Sequence, residues 1–158
     1  EYPQDEAARN LDDEYFFGKD LLVCPLTLED GTSREVYLPE GNWYNFFTGE
    51  KIEGGRRLVL EADWNEMLVF ARDGALVPVA EPVICVTEDT VFNITVKSFG
   101  TNKTGSCVLY EDDFVSFNYE SLVAKKQINV TVGDNGKFIV SGAKTSTKYH
   151  FLNCIVKD

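Results

Sequence analysis

The chain has 158 residues, of which 44% are hydrophobic and 26% are charged, a composition typical of a folded protein and not of a disordered tail. It contains 15 Lys and Arg residues and 26 Asp and Glu residues, which leaves a net charge of −11. Because nucleic acids and anionic membranes are bound by clustered Lys and Arg, this acidity argues against both as partners.

The apolar segments predict short β-strands. They are rich in Val, Ile, Phe and Tyr and are bounded by Gly, Pro, Asn or Asp, the pattern of an all-β protein. Residues 4–15 come first and predict either a short helix or a loop with one helical turn. The next segments predict strands over 21–24, 35–38, 57–60, 67–70 and 75–79, with a turn at Asp73-Gly74 between the last two.

The later strands alternate in polarity. Residues 92–97 place their apolar side chains on one face, and residues 127–132 repeat this period of two. A turn over 133–136 then predicts a hairpin with residues 137–140. We therefore predict two consecutive antiparallel β-sandwich-like units, 19–82 and 83–158, that follow an N-terminal tail over 1–18.

Cysteine and histidine give little indication of chemistry. The four cysteines are widely spaced and form no Cys-x-x-Cys pair, so the sequence predicts no metal or redox site. We expect the cysteines to be buried free thiols, and one or two disulfides are the alternative that the sequence leaves undecided. The single histidine, His150, lies in a predicted strand over 148–152, where we expect a structural or surface role and not that of a catalytic base.

Carboxylates and tryptophans are the remaining candidates for a site. Acidic residues cluster at 12–14 and 111–113, but neighbours on a strand point to opposite faces, so such runs make no glycosidase pair and indicate solvated turns. Trp43 and Trp64 could each fill a core or stack on a sugar ring. We therefore name Trp64 and Trp43 as candidate carbohydrate-binding residues and predict no metal ligand and no cofactor.

Four stretches together resemble the C-terminal part of glycoside hydrolase family 31 enzymes, the α-glucosidase and α-xylosidase group. Residues 2–5 (YPQD) and 11–18 (LDDEYFFG) are similar to the segment that leaves the family's last barrel strand, and residues 20–25 (DLLVCP) to its next strand. Residues 36–44 (VYLPEGNWY) with 47–49 (FTG), and then 69–75 (VFARDGA), resemble its Tyr-Leu-Pro-x-Gly-x-Trp-Tyr signature and Arg-x-Gly turn. Residues 109–113 (LYEDD) are similar to a box in its distal domain, where Phe114 replaces a glycine.

This resemblance implies a proximal and a distal β-sandwich that support an upstream (β/α)8 catalytic barrel of the same polypeptide. In the family, a carboxylate nucleophile and a carboxylate acid/base act by a retaining mechanism within that barrel, so no catalytic residue carries over to this chain. The family's Arg-x-Gly turn implies a structural Arg72, its guanidinium pairing with carboxylates or carbonyls of neighbouring loops. The expected function is the non-catalytic C-terminal β region of an α-glycosidase that acts on α-linked glucosides or oligosaccharides.

Two other functions stay open at this point. The tryptophans and acidic turns also suit a stand-alone carbohydrate-binding β-sandwich module, and the strands alone would suit a structural or adhesive sandwich of a surface protein. The chain opens at Glu1 and has Met67 as its one methionine, so we expect a fragment of a longer protein. The sequence does not indicate the cellular compartment of the protein.

Overall fold

The computed structural model describes residues 2–27, 32–63, 65–100, 104–111, 117, 125–132, 138–141 and 148–157. Within them lie one helix and thirteen strands, which confirms the all-β fold. The helix α1 covers Glu6–Arg9. In chain order the strands are β1 (Tyr15–Phe17), β2 (Leu21–Cys24), β3 (Ser33–Leu38), β4 (Asn42–Asn45), β5 (Lys51–Glu53), β6 (Arg56–Glu61), β7 (Leu68–Arg72), β8 (Leu76–Ala80), β9 (Phe92–Phe99), β10 (Thr104–Tyr110), β11 (Lys125–Val132), β12 (Phe138–Ser141) and β13 (Tyr149–Lys157).

The described residues form two compact units. The first contains residues 2–75 together with Phe99, Gly100 and Lys157. The second contains residues 76–98 and the described residues between 104 and 156. Where it is described, the predicted tail over 1–18 is part of the first unit, because β1 pairs with β2 and Phe16 packs against the core. The domain limits predicted at 18/19 and 82/83 stay a proposal about the longer protein.

The first unit is a sandwich of two antiparallel sheets. One sheet has five strands in the order β1-β2-β7-β4-β5, and the other pairs β3 with β6. Alternate residues of each strand turn inwards, as the period of two requires, so both sheets contribute to one core. The buried members of this core are Leu22, Cys24, Val36, Leu38, Trp43, Ala62, Leu68 and Phe70. Each large apolar side chain buried there stabilises the fold by about 1.5–3 kcal/mol.

The second unit contains two three-stranded sheets, in the orders β13-β9-β8 and β10-β11-β12. Ile94 and Val96 of β9 are buried as their alternation predicts. Leu76 and Cys154 complete the buried cluster, and Cys107 of β10 packs against it. Because the cluster draws on both sheets, this unit is also a sandwich.

The two turns predicted from the sequence connect different kinds of strand pair. The chain turns at Asp73-Gly74 as predicted, with Gly74 at φ 80°. However, β7 pairs with β2 and β4 whereas β8 pairs with β9, so this turn moves the chain between sheets and does not close a hairpin. The predicted hairpin of β11 and β12 is confirmed by their antiparallel register, while its predicted turn over 133–136 lies outside the described residues.

Candidate functional site

Residues 2–5 border an open groove of about 950 Å³ in the first unit. Two aromatic residues and three acidic residues are among those that line it: Tyr2, Tyr37, Asp5, Glu40 and Glu53. Three negative charges disfavour an anionic ligand in such a groove. The aromatic rings would suit a neutral ligand with an apolar face.

Asp5 fixes the start of α1 and reaches β3. Its Oδ1 accepts hydrogen bonds from the backbone N–H groups of Ala7 at 3.0 Å and Ala8 at 3.2 Å, an N-cap that satisfies two otherwise unpaired donors. Its Oδ2 accepts the Tyr37 hydroxyl at 2.7 Å. The Tyr37 hydrogen bond is the main cause that lowers the pKa of Asp5, and the same bond raises the pKa of Tyr37. Asp5 is therefore an ionised anchor and a poor proton donor.

A buried ion cluster lies at the start of β3. The guanidinium of Arg34, with only 6% of its side chain exposed, contacts Asp13 Oδ2 at 2.8 Å and Glu14 Oε2 at 4.0 Å. It also donates to the backbone carbonyls of Asp13 and Pro25. These contacts tie two other segments of the first unit, at residues 13–14 and at Pro25, to β3.

Glu14 completes this cluster. Only 4% of its side chain is exposed, and Oε2 accepts from the Tyr37 backbone N–H at 3.2 Å and from the Cys24 thiol at 3.6 Å. Burial is the main cause that raises the pKa of Glu14 above its ordinary value, and burial likewise raises the pKa of Cys24. A raised pKa is a property of catalytic acids, but each of these contacts holds the chain together. The cluster is therefore structural.

Arg72, at the end of β7, lies over aromatic rings. Its Cζ atom is 5.5 Å from the ring centroids of both Tyr2 and Phe16, within the range of a cation–π contact. Tyr2 stacks on Phe16 at 5.8 Å, and Phe16 lies 6.1 Å from Trp43. This row joins the N-terminal segment to the core, which agrees with a structural Arg72. The predicted pairing of Arg72 with carboxylates or carbonyls stays a prediction.

The two candidate carbohydrate-binding residues have different outcomes. Trp43 is 1% exposed within the core, and its Nε1–H donates to the Pro39 carbonyl at 2.8 Å. No face of its ring is open to a sugar, so the structure favours the core role of the two that the sequence left open. Trp64 lies outside the described residues, and its sugar-stacking role stays a prediction.

The other predicted candidates do not assemble into a reactive site. His150 is exposed on β13. Asp13 and Glu14 share Arg34, while Asp112 and Asp113 lie outside the described residues. All four cysteines are described and no disulfide joins them; burial raises the pKa of Cys154 to about 11, so this thiol is unreactive.

Sequence reasoning missed Arg34 and Tyr37. Arg34 falls on the same strand face as Val36 and Leu38, because the three are two residues apart on β3. A charged residue at an inward position predicts a buried partner, and this signal would have led to Asp13 or Glu14. The bond between Tyr37 and Asp5 joins residues 32 positions apart, and no local pattern predicts it.

The described residues contain neither a metal-ligand cluster nor a membrane-spanning helix. No group of three or more His, Cys, Asp or Glu side chains within them is placed to hold a metal ion. None of their helices is long and apolar enough to cross a membrane.

Comparisons with known proteins agree on one family. Residues 1–77 match the family model described as "Glycosyl hydrolase family 31 C-terminal domain". The chain is 34% identical to a 1,6-alpha-glucosyltransferase of Sporosarcina globispora over 92% of its length, and 34% identical to alpha-glucosidase 2 of Bacillus thermoamyloliquefaciens over 89%. It spans only 12% and 18% of these two relatives.

Solved structures show the same relation. A family 31 dextranase from Flavobacterium johnsoniae superposes on 88% of the chain with a TM-score of 0.75 and 31% identity. A family 31 alpha-xylosidase from Xanthomonas citri superposes on 99% with a TM-score of 0.73 and 29% identity. The chain covers 18% of each of these proteins.

Proposed function

The chain belongs to glycosyl hydrolase family 31, whose C-terminal domain it carries over residues 1–77, and from this premise we propose that it is the non-catalytic C-terminal β region of a retaining α-glycosidase. Its partner is an upstream (β/α)8 catalytic barrel in the same polypeptide. The substrate is an α-linked glucoside or oligosaccharide that binds in that barrel, and residues 1–158 support the barrel without taking part in the reaction.

The share of each relative that the chain spans carries this proposal. A chain that aligns over 89–92% of its own length but spans 12–18% of an α-glucosidase or a glucosyltransferase corresponds to an accessory region of such an enzyme. More than four fifths of each relative lies elsewhere, which leaves ample length for a barrel of about 250 residues.

The chemistry of the described carboxylates also supports a non-catalytic role. A glycosidase pair needs two acids that face each other across a sugar, one of them able to donate a proton. Asp5 is held ionised by three donors, and Glu14 is enclosed by Arg34, Cys24 and the Tyr37 backbone. Neither carboxylate is free to act on a glycosidic bond.

The burial of Trp43 weakens the alternative of a stand-alone carbohydrate-binding module. That alternative is motivated by the two tryptophans and the acidic turns, and of these Trp43 is enclosed in the core. Trp64 and the groove beside Tyr2 and Tyr37 are the features that would still suit it.

An activity assay on the purified 158-residue chain tests the proposal. We expect no hydrolysis of p-nitrophenyl α-glucoside above a mock purification, while the full polypeptide hydrolyses it. The matched variants are Asp5→Asn and Glu40→Gln, which remove carboxylates that line the groove. Turnover that co-purifies with the 158-residue chain and is lost in either variant would contradict the proposal.

A further inference from the structure

The outer face of the five-stranded sheet in the first unit carries two apolar rows. Cross-strand pairing places Phe17 beside Leu21, Leu21 beside Ala71, and Ala71 beside Tyr44. A second row runs from Tyr15 through Val23 to Val69. Side chains in register lie on the same face, so each row is continuous from β1 towards the middle of the sheet.

The two ends of this face differ in exposure. At β4 and β7, Tyr44 and Ala71 are buried, and the ring of Phe99 lies 6.4 Å from that of Tyr44. At β1, Tyr15 is 54% exposed and Phe17 is 68% exposed. The apolar face therefore extends beyond the part that the described residues cover.

The exposed rings of Tyr15 and Phe17 adjoin Val23 and Leu21 in these rows, so they make a contiguous apolar patch at the β1 end of the sheet. Patches of this kind mark interaction surfaces more often than isolated exposed residues do.

The length of the relatives identifies the occupant. The chain spans 12–18% of them and matches a C-terminal domain, so in those proteins the remaining chain joins this domain from its N-terminal side. Strand β1 is the first strand of the described chain, and a domain tethered so close to it has a high effective concentration at this face.

We propose that the β1 patch, formed by Tyr15, Phe17 and Leu21, is the surface on which the catalytic portion of the same polypeptide docks. This inference rests on the proposed function and deepens it by assigning the docking face. The contact buries the exposed aromatic rings and continues the apolar rows into a shared core.

Photo-cross-linking in the full-length polypeptide tests the docking face. Position 17 carries p-benzoyl-phenylalanine, which resembles the native phenylalanine in shape. Position 59 carries it in the matched control, because Val59 is 72% exposed on β6, in the other sheet of the same unit. After irradiation and digestion, mass spectrometry identifies the cross-linked peptides.

We expect position 17, and not position 59, to cross-link within one molecule to sequence outside residues 1–158. Links from position 17 to a second copy, links only within residues 1–158, an absence of links, or equal links from position 59 would each overturn the docking face. A polypeptide that hydrolyses α-glucosides yet gives one of these results leaves the proposed function standing. If the full-length polypeptide contains no catalytic domain, the proposed function is contradicted, whatever the cross-links show.

The denaturant unfolding midpoints of two variants test the docking face independently of the cross-links. In the full-length polypeptide, Phe17→Ser should shift the unfolding midpoint to lower denaturant, because it removes an apolar ring from the contact. Val59→Ser, which removes an equally exposed apolar side chain, should leave the midpoint unchanged. Equal shifts for the two variants would contradict docking at β1.

Discussion

Arg34 shows how one side chain can decide the stability of a small sandwich. It is buried at an inward position of β3 and contacts two carboxylates, those of Asp13 and Glu14, from the segment before β1. Arg34 and Glu14 are both withdrawn from water, whereas Asp13 is 44% exposed, so removal of Arg34 leaves Glu14 as a buried charge without compensation. The stability of the fold therefore depends on the packing of residues 13–14 against Arg34 of β3.

Replacement of Arg34 should therefore be severe. We expect Arg34→Met to lower the free energy of unfolding by about 3–5 kcal/mol, because Glu14 is left buried without its cation. Arg57→Met is the matched control: Arg57 pairs with Glu35 at 2.7 Å, but both side chains are about half exposed, so the loss should stay below about 1 kcal/mol. Urea unfolding of the two variants measures both values, and equal losses would contradict the burial argument.

Glu14 should make the stability depend on pH. Burial raises its pKa in the folded chain, whereas the pKa of a glutamate in an unfolded chain is about 4.3. Its stabilising contribution is therefore complete below that value and is lost as the pH rises through the folded pKa. Relative to Glu14→Gln, the native chain should lose stability as the pH rises from about 4 through the raised folded pKa of Glu14, as urea unfolding at each pH would show. A difference that is flat, or that has the opposite sign, would be inconsistent with a raised pKa.

The bond between Asp5 and Tyr37 predicts a pair of reciprocal shifts. Tyr37→Phe removes the main hydrogen bond that lowers the pKa of Asp5, so that pKa should rise towards about 3.9. Asp5→Asn should bring the pKa of Tyr37 down towards about 10. Carboxyl NMR titration and tyrosinate absorbance measure the two values.

The stability consequence of Asp5 has the opposite sign to that of Glu14. Because its folded pKa is lowered, its contribution is present above the unfolded pKa and is lost as the pH falls through the folded pKa. An Asp5 pKa that is the same with and without the Tyr37 hydroxyl would refute the assigned cause.

At the scale of the element, the sequence was informative wherever one strand face is buried. Residues 92–96 show the alternation of a half-buried strand, and Ile94 and Val96 are buried as it predicts. Strand β1 was missed because three aromatic residues in a row show no alternation, and because both of its outer residues are exposed. The partners of β7 and β8 could not be read from the chain, since the Asp73-Gly74 turn fits a hairpin and a change of sheet equally well.

The closure of β4 and β5 against the preceding loop depends on a glycine. A Cβ atom at Gly54 would collide with the Pro39 carbonyl oxygen and lie 2.9 Å from the Trp43 ring. We expect Gly54→Ala to destabilise the chain by about 1–3 kcal/mol and to change the Trp43 fluorescence, measured in a Trp64→Phe background.

Gly18→Ala is the control for this element, because a Cβ atom there has no neighbour within 4 Å, although φ is +66°. It should cost stability through backbone strain but leave the Trp43 emission unchanged. Unchanged emission in Gly54→Ala would contradict the close approach of these two elements.

For the whole molecule, the family motifs predicted more than the local chemistry did. The stretch at 36–44 is one of the four that together indicated the family, and the structure shows what two of its residues do. Trp43 packs in the core and donates to the Pro39 carbonyl, while the Tyr37 hydroxyl donates to Asp5. The sequence could not assign Trp43 to the core, because aromatic residues serve cores and sugar sites alike. The sequence of residues 1–158 could not indicate the substrate, since the function that we propose assigns substrate binding to an upstream barrel.

The sequence of the coding region that surrounds residues 1–158 tests the central claim most directly. The account predicts one continuous reading frame in which a (β/α)8 barrel with two catalytic carboxylates lies immediately upstream of residue 1. A reading frame that encodes residues 1–158 alone, or joins them to an unrelated domain, would contradict it. Sugar binding through Trp64 and the groove beside Tyr37 would then become the function to examine.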